Sequence, residues 1–114
     1  MKKLLATSMV ILFLFVGCKR KFNKVNWLVK EDIDYPYRDA MLDDLIKSHK
    51  LVGLSYKQVI QLLGKPQSSG YTGIYYQIKA DYGADIDPIF SKILVIEFGK
   101  DSIATTAEVK EWKK

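Results

Sequence analysis

Apolar and polar positions follow several distinct patterns along the chain. The first is an unbroken apolar run. Leu4 to Gly17 is free of charge, and Lys2 and Lys3 precede it. At ~1.5 Å rise per residue such a run spans ~21 Å as a helix, short of the ~30 Å hydrocarbon core of a bilayer. Its length and flanks are those of an export signal. The next segment, Lys19-Arg20-Lys21-Phe22-Asn23-Lys24, places four like charges in six residues and reads as a short extended tether. Val25 to Pro36 is mixed and predicts an irregular lead-in, with Trp27 packed on the edge of the domain.

Helical periodicity begins after Pro36. Met41, Leu42, Leu45 and Ile46 form an i, i+1, i+4, i+5 stripe, with Arg38, Asp39, Asp43, Asp44, Lys47 and Lys50 elsewhere. Pro36 suits the first turn, Asp34 is the expected cap, and Asp43 to Lys47 is a favourable i,i+4 pair. The carboxylates of this segment read as a solvated helix face. A second, shorter helix is announced by Ser55 and Gln58, the spacing of a capping box. Val59, Ile60, Leu62 and Leu63 are its apolar face. Gly64 supplies the C-terminal stop and Pro66 blocks continuation. Two turns do not hold alone, so this helix must dock on something.

From Gly70 the period becomes two. Tyr71, Gly73, Tyr75 and Gln77 alternate with Thr72, Ile74, Tyr76 and Ile78. Lys92 to Phe98 is a second strand, Gly99-Lys100-Asp101 a tight connection, and Ser102 to Val109 a third strand with Ile103, Thr105, Ala107 and Val109 on one face. Short connections make the strands antiparallel. The expected fold is α+β in two layers, with two helices on one face of a three-stranded meander, in the order α-α-β-β-β. The expected organisation is an export signal over 1–17, a basic segment over 18–30 and one domain over 31–114.

Charge changes the picture once it is placed. The 114-residue chain has 18 Lys+Arg against 13 Asp+Glu, a formal +5. That excess would suggest nucleic acid or another anionic partner. Two of the basic residues belong to the export signal and four to the tether. Every acid lies from Glu31 onward, so beyond Lys24 twelve basic residues face 13 acids, and this folded part carries −1. A nucleic-acid partner is therefore not expected. One cysteine rules out an internal disulfide, and one histidine, His49, rules out a Cys/His zinc cluster. His49 reads as a residue at the C-terminal end of the first helix, facing its dipole.

The apolar run ends Phe15-Val16-Gly17-Cys18, and small Gly17 before cysteine resembles the lipobox of bacterial lipoproteins. Phe15 stands where that motif usually has Leu. The resemblance implies cleavage before Cys18, acylation of its thiol and new amino terminus, and attachment to a lipid bilayer. Lys19 follows where Asp would direct retention in the inner membrane, so the resemblance places the protein at the periplasmic face of the outer membrane. The alternatives are an uncleaved anchor or an ordinary secreted protein. The basic tether would also attract anionic headgroups. The stretch Leu51-Val52-Gly53-Leu54-Ser55-Tyr56-Lys57-Gln58-Val59-Ile60-Gln61-Leu62-Leu63-Gly64-Lys65-Pro66 resembles the signature of the SmpA/OmlA (BamE-like) lipoprotein domain. Leu94 to Gly99 fits that family's second strand. The likeness spans roughly Met41 to Val109. It implies a non-enzymatic accessory that binds an envelope protein and supports insertion of outer-membrane proteins. None of the family's partner or lipid contacts falls in the matched motif.

The remaining candidates are few. Tyr71, Tyr75 and Tyr76, with Tyr82 nearby, suggest an aromatic partner-binding face on the uncovered side of the sheet; the competing reading is cross-strand packing. Such a face also suits an inhibitor or immunity-type lipoprotein that blocks an enzyme. Asp81, Asp85 and Asp87 are spaced as a possible calcium loop but lack the EF-hand pattern and its terminal Glu. No phosphate loop, nucleophile elbow or catalytic carboxylate pair appears. No catalytic residue, cofactor, resident metal or small-molecule substrate is assigned, and enzymatic activity is not expected.

Overall fold

The computed structural model describes residues 20–84, 86 and 88–113. Three helices precede four strands. They are α1 (Lys24–Leu28), α2 (Arg38–Ser48), α3 (Tyr56–Leu63), β1 (Ser68–Ser69), β2 (Gly73–Asp81), β3 (Phe90–Phe98) and β4 (Ala104–Lys113). The strands form one antiparallel sheet in the order β1-β2-β3-β4. The α+β class stands, but the expected three-stranded meander with two helices does not. The additional strand is two serines, with no apolar alternation to betray it. Backbone geometry alone makes it: the Gln67 amide donates to the Tyr75 carbonyl at 3.0 Å and the Gly70 amide to the Gly73 carbonyl at 2.8 Å.

The additional helix lies within the expected tether and lead-in. Asn23 caps it, its side-chain oxygen accepting from the Asn26 amide at 3.2 Å. Trp27 is not at the edge of the domain but fully buried in the core, its indole N–H donating to the Leu63 carbonyl at 3.0 Å. The chain ahead of it is also docked. The Arg20 amide donates to the Ala40 carbonyl at 3.0 Å and the Phe22 amide to an Asp44 carboxylate oxygen at 2.7 Å. The Phe22 ring lies 5.8 Å from Trp27 and 5.1 Å from His49, centroid to centroid. Two aromatic anchors outweigh the repulsion of solvated lysines, because the lysine heads stay in water. The folded unit therefore includes 20–30 rather than starting at Glu31.

The core is one cluster between the helices and one face of the sheet. Trp27, Met41, Leu42, Leu45, Leu51, Val59 and Leu63 meet Ile74, Tyr76, Ile78, Leu94, Ile96 and Ala104 there. The stripe on α2 buries three of its four expected residues, while Ile46 stays 40% exposed. The helix opens later than expected. Asp34 is not its cap, because its backbone is committed to a reciprocal pair with Glu31, both bonds 2.9 Å, around the left-handed Asp32. Tyr37 takes the cap position without a side-chain bond. The Asp43–Lys47 pair forms at 3.2 Å.

The capping box on α3 forms in both directions. Gly64 ends the helix at φ +79, and a Cβ there would lie 2.6 Å from a methyl of Leu28. The Tyr76 hydroxyl donates to the Gly64 carbonyl at 2.8 Å. With the Trp27 indole on Leu63, two buried aromatics thus satisfy carbonyls that the end of a helix leaves unpaired. β4 starts two residues later than expected and runs longer. Thr105 has no cross-strand partner, since Ala104 pairs with Phe98 and Thr106 with Glu97. This bulge splits the expected Ile103/Thr105/Ala107/Val109 face: Ala107 and Val109 stay together, opposite Ile96 and Leu94, but before the bulge it is Ala104 that enters the core.

Candidate interaction surface

The three tyrosines expected on one face go to three places. Tyr75 is half-buried on the face away from the helices, paired with Val95 of β3 and Ser68 of β1. Tyr76 is fully buried on the opposite face and is no part of an interaction surface. Adjacent strand residues point to opposite faces of a sheet, so both could not serve one side. Burial also pushes the Tyr76 hydroxyl well above the usual phenol range. Tyr71 lies in the turn before β2, fully exposed.

Cross-strand register builds the uncovered face. One row is Ser68, Tyr75, Val95 and Glu108; beside it are Gln77, Ile93 and Lys110, then Ser91 and Trp112. Glu97 and Thr106 close the other end, the Thr106 hydroxyl lying 3.1 Å from a Glu97 carboxylate oxygen. Val95 is only 5% exposed although it lies outside the core cluster, so its open-face neighbours cover it. Trp112 is half exposed. The result is a narrow apolar strip of Tyr75, Val95, Ile93 and Trp112 inside a polar frame.

At the sheet end that holds the β3–β4 turn, a cleft of about 490 Å³ is lined by Tyr56, Tyr71, Ile74, Phe98 and the backbone of Gly70 and Gly99, among others. Tyr56 stands edge-on to Phe98 at 5.4 Å. Tyr71 belongs to this cleft rather than to the strip. Tyr56 escaped the sequence reading because it sits in the capping box, where spacing explained the segment without it.

Arg38 was also missed. It is buried at 1% exposure, the first residue of α2. Its Nε donates to the Trp27 carbonyl at 2.8 Å, and Nη1 to the Gln67 side chain at 2.6 Å and the Gln77 carbonyl at 2.8 Å. The guanidinium lies 3.6 Å from the Tyr35 ring centroid and 4.6 Å from that of Trp27. One cation thus joins the α1 segment, α2, the approach to β1 and β2 through neutral oxygens. Burial pulls its pKa down to about 10, against the opposing pull of the Tyr35 and Tyr76 hydroxyls. A run of polar residues in sequence gives no sign of such a link, because its partners are 11 to 39 residues away.

Cys18, Asp85 and Asp87 lie outside the described residues, so neither lipid attachment nor the three-aspartate loop has a geometry here. Among the described residues no group of three or more His, Cys, Asp or Glu is placed to hold a metal ion. No described helix is long and apolar enough to cross a membrane. No family model, curated protein or solved structure matches this chain.

Proposed function

We propose that this protein is a bacterial lipoprotein, anchored through acylated Cys18, that acts as a non-enzymatic protein-binding accessory in the cell envelope, on the periplasmic face of the outer membrane. The observation that carries the anchor is positional. The chain's one cysteine directly follows Gly17 at the end of the charge-free run, the place where acylation needs a thiol. The binding role draws support from the uncovered face of the sheet, where the half-buried Tyr75 and Ile93 and the half-exposed Trp112 leave apolar surface without a helix over it. The likeness of Leu51–Pro66 to the SmpA/OmlA (BamE-like) signature makes assembly of outer-membrane proteins the first setting to test.

The experiment is affinity capture of the full-length protein from detergent-solubilised envelopes, beside a Cys18→Ala chain. The expected result is membrane-bound protein that brings down barrel-assembly components, with Cys18→Ala released from the membrane. Capture of one soluble enzyme instead would favour the inhibitor reading. Membrane retention of Cys18→Ala would overturn the lipid anchor.

A further inference from the structure

A lipid-anchored domain on a free basic stalk would sample many orientations. The fold leaves no room for one. The backbone is fixed to α2 from Arg20 onward by the Arg20–Ala40 bond, the Phe22–Asp44 bond and a contact from the Asn23 amide to the Met41 sulfur at 3.3 Å. Cys18 is two residues upstream. At ~3.8 Å between consecutive Cα atoms, its Cα lies within ~8 Å of the Arg20 Cα. An acylated Cys18 therefore brings the bilayer surface to the docked amino-terminal segment itself.

That segment has the composition of an interfacial surface. Val25 is 75% exposed and Leu28 45% exposed on α1, on the outside of a helix whose inner residue, Trp27, is buried. Arg20 and Lys21 precede this helix and Lys24 opens it; all three are exposed, the Arg20 guanidinium lying 5.3 Å from the Tyr37 ring centroid. The Lys24 ammonium is held at the Gln61 carbonyl of α3, which keeps the charge at the domain surface. Of the acids on α2, Asp44 already accepts from the Phe22 amide and the Ser48 hydroxyl, and Asp43 pairs with Lys47; the exposed Glu31, Asp32 and Asp34 follow α1 in the next turn of the chain. Exposed aliphatic side chains flanked by cations are what an anionic lipid interface accepts.

From this we infer that the folded domain lies directly on an anionic bilayer, with α1 and its flanking lysines as the contact face. The inference rests on the lipid anchor proposed above and adds the orientation. The uncovered sheet face is on the other side of the sheet from the helices and stays in water, available to a protein partner.

The test uses the full lipidated chain in phosphatidylcholine vesicles made with and without phosphatidylglycerol. Acylation occupies the only native thiol, so Val25→Cys and Glu108→Cys can each be spin-labelled singly. The expected result is a label at 25 that relaxes more with lipid-soluble oxygen than with an aqueous nickel chelate, and a label at 108 with the reverse preference. Lys21→Gln with Lys24→Gln should reduce the contrast severalfold in the phosphatidylglycerol vesicles. A label at 25 as aqueous as the one at 108, in protein that floats with the vesicles, overturns the orientation alone. A native chain whose Cys18 reacts with maleimide and which fails to float overturns the anchor and the orientation together.

Discussion

Tyr75 and Tyr76 are neighbours in one strand, and they separate the molecule's two surfaces. Tyr76 faces the helices, is fully buried and holds the end of α3 through its hydroxyl. Tyr75 faces outward, paired with Ser68 and Val95 of its own sheet, with its ring beside Gly70. The helix side is built from long-range aromatic anchors, Trp27 and Tyr76, that bind Leu63 and Gly64. The outer side is built from cross-strand pairs, each worth ~0.2–1 kcal/mol. The same residue type is therefore buried structure on one face and solvent-facing on the other, and the pleat decides which.

That contrast is open to direct attack. The largest effect is expected from Trp27→Ala, which removes a fully buried indole and its bond to α3. A loss of ~3–5 kcal/mol in urea unfolding is expected. A much smaller value would mean that the amino-terminal segment is dispensable to the core. Arg38→Lys should follow, at ~2–3 kcal/mol, because one ammonium cannot span the acceptors on Trp27, Gln67 and Gln77. Tyr76→Phe isolates the hydroxyl and should cost ~1–2 kcal/mol by leaving the Gly64 carbonyl without its partner. Tyr75→Ala should change stability by at most ~1 kcal/mol yet weaken capture of the envelope partner. If Tyr75→Ala unfolds the domain as readily as a core substitution, the two-surface division is wrong.

The smallest effect is acid-dependent. Bonds from the Phe22 amide, then the Ser48 hydroxyl, hold Asp44 below the usual carboxylate pKa of 3.8. A depressed folded value means that the unfolded chain takes the proton first. The contribution is present above 3.8 and is lost as pH falls through the folded value. The protection of the Phe22 amide, the intrinsic exchange rate over the observed rate at the same pH, should therefore fall at low pH, and Asp44→Asn should show the lower protection already at neutral pH. A protection factor unchanged from neutral to acid would remove Asp44 from the docking of this segment.

Much of the fold could be read from local rules. The Ser55/Gln58 capping box, the Gly64 stop, the Asp43–Lys47 pair and the β3 run all rest on residues within a few positions of one another. What escaped depends on distance or on backbone. β1 is two serines whose strand character comes from β2. α1 looked like a charged tether because the weight of Trp27 is felt only when Leu63 and Tyr76 close around it. The bulge at Thr105 put Ala104 in the core in place of Ile103 and Thr105 without any glycine or proline to mark it. For the surface, period two separates Tyr75 from Tyr76, which the expected partner-binding face had joined, and Tyr71 lies outside the strand altogether. Arg38 could be recognised only through partners far along the chain.

The docking of Arg20 and Phe22 on α2 also has a mechanical side. Tension applied at the amino-terminal end of the described chain is not absorbed by slack. It meets the Arg20–Ala40 and Phe22–Asp44 bonds, and then Trp27, whose ring lies 4.6 Å from the Arg38 guanidinium and 6.2 Å from the Tyr76 ring. A force on that end therefore reaches the centre of the core within a handful of residues.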